Sequence, residues 1–227
     1  MNVQDIIYAI REGLKEYTDD SRYTDDYIMY LVRIKRAALI RREYSNLQRT
    51  IDQETLQTIC MTLEEVDDSD CPDCLIDSTD CKIIRTVQKL PFTIELHNRS
   101  SITRIAFTQK SSAKINLVSR DKIVYAGEGA FEKKAIFAYL DNDGHIYLKS
   151  KINSYKSQEK ISVTVLLDNP DDAALFVGCE GVNQPCYNIL ESRYPLKGWM
   201  EEAIRTQIIS ELANLKPLPA DTVNSCY

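Results

Sequence analysis

The chain has 227 residues, which is enough for one large domain or two small ones. Its 28 Lys and Arg against 34 Asp and Glu give a net charge of −6, which argues against a protein whose whole surface wraps nucleic acid. Two histidines exclude a multi-histidine metal centre, and the seven glycines include no pair spaced as in a phosphate-binding loop.

The first residues have neither the basic start nor the apolar run of a signal peptide. No stretch approaches the roughly 18 apolar residues of a membrane span. We therefore expect a soluble protein made in a reducing compartment, whose seven cysteines are thiols or metal ligands before they are disulfides.

Residues 3–17 have the spacing of an amphipathic helix. The apolar positions, three and four residues apart, are Val3, Ile6, Ile7, Ile10, Leu14 and Tyr17. Thr24 can cap a second helix, with Asp25 and Asp26 in the first turn, where the helix dipole favours acids. The apolar face of that helix is predicted at Ile28, Leu31, Val32, Ala38 and Leu39. Two helices joined by a short polar loop predict an αα-hairpin.

The middle of the chain, roughly residues 50–167, changes to the two-residue period of strands. Alternation is clearest at Ile161, Val163, Val165 and Leu167, and it also occurs over 59–63 and 92–96. Residues 141–144 separate two apolar runs and predict a hairpin turn in which Gly144 takes a positive φ. Because no helix long enough for a parallel crossover separates the runs, we expect six to eight strands.

The chain returns to helix near Pro170, and apolar positions from Met200 to Leu215 predict a final helix over about 197–215. We therefore predict an α+β fold. In this fold the N- and C-terminal helices pack together, with a β-rich insertion (an antiparallel sheet or sandwich) between them. The predicted domains are an αα-hairpin at 1–48, a β-rich domain at 49–167, and C-terminal helices and tail at 168–227 that pack with 1–48.

Four cysteines lie close together in the sequence, at Cys60, Cys71, Cys74 and Cys81. Four thiolates can hold zinc, and the C-x-x-C at 71–74 supplies two ligands from one turn, although the outer spacings are not those of a zinc ribbon. Eight acids between Glu64 and Asp80 attract a cation but oppose thiolate formation without one. We favour a solvated acidic loop with incidental thiols, which needs no cofactor, over a zinc site.

The second predicted helix and the residues after it carry a basic series: Arg33, Lys35, Arg36, Arg41, Arg42 and Arg49. Three interpretations are open: contact with another subunit or the acidic segment 64–80, a solvated helix face, or contact with DNA. We favour assembly, because complementary charge patches orient subunits and no interleaved aromatic residues accompany the cations for base stacking.

Neither histidine, His97 or His145, lies in a nucleophile motif, so we expect no enzyme activity. The Asp-Asn-Asp-Gly sequence at 141–144 is not a calcium loop of the EF-hand type. Its first and twelfth positions would be Tyr139 and Ser150, where carboxylates are required.

Three segments carry a family resemblance. The opening contains VQDIIYAIREGLKEYTDDSRYTDDYIMYLVRIKRAALIRREY, the middle contains CKIIRTVQKLP and KISVTVLLDNP, and the end contains YPLKGWMEEAIRTQIISELANLKPLPADTVN. The opening resembles head-to-tail connector proteins of tailed bacteriophages, with Tyr23-Thr24-Asp25-Asp26 at the helix start and Arg36-Ala37-Ala38 in the basic end. The other segments are similar to ring proteins of short-tailed crAss-like phages of Bacteroides.

The resemblance implies a virion structural protein in the tail or neck below the portal vertex, made in the host cytoplasm. There it would form a homo-oligomeric ring, usually of twelve copies, that binds the portal protein and other tail and ring proteins. Genomic DNA would pass through the lumen without sequence specificity, and no membrane would be involved. The alternative from the residues themselves is a soluble zinc-stabilised module that binds nucleic acid or protein.

Overall fold

A computed structural model describes residues 2–15, 23–67, 82–108, 115–129, 131–151, 158–176 and 193–214. The chain divides into two compact units. The helical unit comprises residues 1–43 and 188–227, and the β unit comprises residues 44–187. The three predicted domain ranges remain a prediction about the folding units of the chain.

The helical unit is built from helices α1 (Val3–Lys15), α2 (Asp25–Tyr44, whose last residue belongs to the β unit) and α3 (Gly198–Asn214). Helix α1 buries Val3, Ile6, Ile7, Ile10 and Leu14, the face that the periodicity predicts. Helix α2 starts as predicted, with the Tyr27 backbone N–H donating to Thr24 Oγ1 at 3.3 Å. Residues 16 and 17 of the first predicted helix lie outside the described residues.

Helix α3 packs against α1 and is fixed to the start of α2 and to its middle. It buries Met200, Ile204, Ile208 and Leu212, which are spaced one turn apart. The Tyr23 hydroxyl donates to the Leu212 carbonyl at 3.3 Å, and Lys35 Nζ lies 2.5 Å from Glu211 Oε2. The helical unit therefore has an apolar core closed by polar contacts between helices.

The β unit contains one seven-stranded sheet in the order β3-β7-β1-β2-β6-β5-β4. Its strands are β1 (Gln57–Asp67), β2 (Lys82–Thr86), β3 (Ile102–Phe107), β4 (Ile115–Leu117), β5 (Ile136–Leu140), β6 (Ile146–Lys149) and β7 (Lys160–Val165). All neighbouring strands are antiparallel except the pair β4 and β5. The predicted α+β fold class is confirmed, and the prediction of a purely antiparallel sheet is wrong for β4.

Strand β1 joins the two halves of the sheet. Its residues 57–62 pair with β7, and its residues 63–67 pair with β2. Side chains from both halves form one core, which includes Ile59, Met61, Ile84, Ile105, Ala138, Leu148 and Val163. The strands at the two ends of the order, β3 and β4, contact each other, so the sheet curls around this core.

The half of the sheet that contains β5 and β6 is buried on both faces. On the face away from the main core, Phe137, Tyr139 and Tyr147 pack with Ile123 of the 3₁₀ helix Arg120–Tyr125. The connection that carries this helix runs from β4 to β5, and it returns the chain for their parallel pairing. A short 3₁₀ helix thus supplies the crossover that the sequence analysis did not anticipate.

The alternating residues 92–96 do not form the predicted strand. Only an isolated bridge joins Thr93 to Leu167, and Phe92 is exposed while Ile94 is buried. Pro91 precedes the segment and has no N–H to donate, which favours an edge position over a strand inside a sheet. The predicted helix after Asn169 is a 3₁₀ helix at Pro170–Leu175.

The predicted hairpin turn is confirmed, with Gly144 at φ +84° between the antiparallel strands β5 and β6. We expect Gly144→Ala to lower the free energy of unfolding by roughly 1–2 kcal/mol, because an L side chain in left-handed backbone is strained. A Cβ there would lie at an ordinary 3.6 Å from Lys89 Cβ, so crowding adds little. Urea denaturation followed by circular dichroism measures the change.

The matched control is Gly198→Ala at the start of α3, where a Cβ meets nothing within 4 Å. This variant should be neutral or slightly stabilising, since alanine favours helix over glycine. Equal destabilisation by the two alanines would contradict the assigned backbone cause.

Candidate functional site

The six predicted cationic residues do not form one free surface. Five lie on α2, and Arg49 follows it in the β unit with its guanidinium 5.7 Å from the centre of the Tyr44 ring. Lys35 pairs with Glu211, and Arg42 Nε lies 3.2 Å from Glu43 Oε1. Arg41 and Arg42 are exposed, and Arg33 is partly exposed. The series therefore divides into residues that serve the protomer and residues that face outward.

Arg36 is a structural residue of the helical unit. Its side chain is fully buried, its Nε donates to the Pro195 carbonyl at 3.1 Å, and its guanidinium lies 5.9 Å from the centre of the Tyr194 ring. A buried guanidinium needs such partners, because desolvating an unpaired charge is costly. Arg36 is thus inaccessible to DNA or to another protein in this protomer.

The outward side of α2 carries a row of aromatic and aliphatic residues that the sequence analysis did not single out. We define the tyrosine face as Tyr23, Tyr27, Tyr30 and Ile34, which are three and four residues apart. The rings of Tyr23 and Tyr27 stack with centroids 6.0 Å apart, and those of Tyr27 and Tyr30 with centroids 6.4 Å apart. The Arg33 guanidinium lies 5.8 Å from the centre of the Tyr30 ring.

A groove of about 800 Å³ lies between α1 and α3. We define the α1–α3 groove by its lining residues Tyr8, Ala9, Glu12, Gly13, Arg205, Thr206, Ile209, Ser210, Ala213 and Asn214. Gly13 lets the two helices approach closely, because a Cβ at this position would clash with Cδ1 of Ile209. The groove is thus a second outward-facing surface of the helical unit, and no α2 residue lines it.

Of the four clustered cysteines, only Cys60 lies within the described residues. Cys60 is buried on β1 and is disulfide-bonded, so the expectation of a free thiol is wrong at this position. A disulfide sulfur is not a thiolate ligand, and the bond therefore competes with zinc for Cys60. Cys71, Cys74 and Cys81 lie outside the described residues, so the four-cysteine zinc site stays a prediction. In the parts of the chain that the structure describes, no group of three or more His, Cys, Asp or Glu could hold a metal.

The carboxylates of the hairpin turn serve the fold of the β unit. Asp141 Oδ1 lies 2.6 Å from Arg120 Nε and accepts the Asn142 N–H at 2.9 Å. Asp143 accepts the His145 N–H at 2.8 Å and the Tyr147 hydroxyl at 2.6 Å. These internal bonds fit the expectation that the turn is a hairpin and not an EF-hand loop.

The two histidines lie in different settings. His145 is buried, and its Nδ1 lies 2.7 Å from the Thr86 carbonyl, to which it donates. His97 is exposed, and its backbone N–H donates to Ser45 Oγ at 3.4 Å. His145 thus anchors the hairpin to β2, which is a structural use of an imidazole.

Burial, with the hydrogen bond to Asp143, raises the pKa of Tyr147 above its ordinary value. A raised pKa in the folded state stabilises the protein fully below the unfolded pKa of about 10, and this contribution is lost as pH rises through the folded pKa. The free energy of unfolding of the wild type should therefore fall towards that of Tyr147→Phe between about pH 8 and pH 11. Urea titrations at several pH values measure the difference.

The control is Tyr125→Phe, at an exposed tyrosine of the same unit, which should parallel the wild type at every pH. A constant difference between wild type and Tyr147→Phe over this pH range would contradict the linkage.

Arg36→Ala should destabilise the protein by roughly 3 kcal/mol, because it removes a buried stem and leaves the Pro195 carbonyl without its guanidinium donor. Arg33→Ala on the same helix should change stability by less than about 0.5 kcal/mol. Thermal and urea unfolding of the two variants compares them directly. Similar losses in both would contradict the distinct role of Arg36.

None of the helices within the described residues is both long enough and apolar enough to cross a membrane.

Two comparisons with known proteins cover nearly the whole chain. A family model described as phage tail ring protein 2 matches residues 5–226. The chain is also similar to Ring protein 2 of Bacteroides phage crAss001, at 25% identity over 225 residues, which are 99% of this chain and 96% of that protein. Both matches include the helical unit and the β unit together.

Proposed function

Because this chain belongs to the phage tail ring protein 2 family, we propose that it forms a homo-oligomeric ring beneath the portal that connects the phage head to the tail. Membership confirms the predicted resemblance to ring proteins of crAss-like phages and makes the chain a structural ring protein of a phage tail. The family is not an enzyme family. The observation that carries the proposal is the match over residues 5–226.

The helical unit offers surfaces suited to such assembly. A closed ring of identical subunits uses two different surfaces on each copy, one for each neighbour. The tyrosine face and the α1–α3 groove are two separate outward surfaces of the same unit. Exposed tyrosine and arginine side chains are the residue types enriched where proteins bind one another.

Charge supports a channel that DNA crosses without specific binding. The chain carries a formal charge of −6, and a ring of twelve copies would carry about twelve times this charge. Repulsion between an acidic lumen and phosphates allows DNA to slide during packaging and ejection. Two of the cations once considered for DNA contact, Lys35 and Arg36, instead hold the helical unit together.

The proposal implies partners and a location. The ring would bind the portal protein on one side and other tail or ring proteins on the other, within the virion neck. The subunits would be made in the host cytoplasm before assembly. The function needs no cofactor, and zinc at the clustered cysteines remains the alternative for a soluble binding module.

Native mass spectrometry of the purified chain, alone and mixed with the portal ring of its own phage, tests the proposal. We expect the portal complex to gain several copies of 26.0 kDa, because the portal orders the subunits into a ring. The copy number on each portal then gives the ring symmetry. A portal assembly already saturated with tail proteins, which should gain no copies, serves as the control.

A chain that ignores the portal, stays monomeric and retains one zinc per copy would overturn the connector role and favour the zinc-stabilised module. Metal analysis by plasma mass spectrometry of the same sample supplies the zinc count.

A further inference from the structure

Helix α2 is apolar on two opposite sides. One side is buried in the helical unit through Ile28, Leu31, Val32 and Leu39. On the other side Tyr27, Tyr30 and Ile34 remain 39%, 50% and 41% exposed. A surface helix of a protein that works alone normally has one apolar stripe, so a second stripe indicates a contact with another chain.

The tyrosine face is ordered before any partner arrives. Its three rings stack in series, and Arg33 lies against the last of them. The Tyr23 hydroxyl is held by the Leu212 carbonyl, which fixes the first ring to α3. Binding through side chains that are already ordered loses little conformational entropy.

The α1–α3 groove has the complementary shape and charge. Its floor is apolar at Ala9, Ile209 and Ala213, and Tyr8 stands at its edge, 64% exposed. Carboxylates border it at Glu12, Glu201 and Glu202, against the single cation Arg205. The tyrosine face is bordered instead by Arg33 and Arg41. A cationic apolar ridge and an acidic apolar groove on the same unit attract each other between copies.

We infer that the tyrosine face of each copy docks into the α1–α3 groove of the next copy around the ring. The inference rests on the proposed ring function and names the residues that close the ring. The contact is head-to-tail, since ridge and groove are different surfaces, and such contacts generate closed rings when the rotation permits.

Site-specific photocrosslinking tests the contact in the assembled ring. Tyr30 is replaced by the photoreactive residue benzoylphenylalanine, which keeps an aromatic side chain at that position. Equal amounts of the variant and of isotope-labelled wild type are loaded onto the portal ring and irradiated. We expect crosslinks between labelled and unlabelled copies that map to residues 8–13 and 205–214.

Crosslinks to the portal, to another tail protein or to a different region of the neighbouring copy would overturn the inference and leave the ring function intact. Failure of the wild type to load onto the portal would overturn both. The two failures are therefore distinguishable in one experiment.

A charge variant gives an independent readout. Tyr30→Glu should weaken loading about tenfold or more, because it places a carboxylate opposite the acidic border of the groove. The matched control is Tyr125→Glu, at a tyrosine of the β unit that is 76% exposed. Both variants should melt within a few degrees of the wild type, since both side chains face solvent. Equal loading by the two variants would overturn the inference.

Discussion

The continuity of β1 is the constraint on which the β unit depends. Eleven residues without a break pair first with β7 and then with β2, so both halves of the sheet take their register from one strand. Ile59 and Met61 point into the shared core from the centre of this strand. A one-residue slip of β1 would turn these side chains outward and misalign both halves together.

The helical unit depends on a different type of constraint, a buried cation. Arg36 ties α2 to the segment before α3 through the Pro195 carbonyl and the Tyr194 ring. The outward side of α2 then needs no polar cover from its own chain and can expose tyrosines. The same helix thus stabilises the protomer on one side and is available for assembly on the other.

Local features could be predicted from the sequence because their causes are local. The face of α1, the Thr24 cap and the Gly144 turn each follow from residues within a few positions of one another. The role of Arg36 could not be predicted, because its carbonyl partner is 159 residues away and five other cations share its composition. The tyrosine face was present as a three- and four-residue spacing, but tyrosine is compatible with core, surface and interface alike.

The pairing of β1 with β7 also determines when the protein can fold. Thr58 and Thr164 lie opposite each other in the sheet, although 106 residues separate them in the chain. At roughly 5–20 residues per second, a ribosome needs about 5–20 s to make that interval. For this time β1 has no β7 to cover its edge, and an uncovered apolar strand aggregates readily at high concentration. The rate at which a host cell produces competent ring subunits would then be limited by late closure of the sheet, and host chaperones become relevant to the yield of virions.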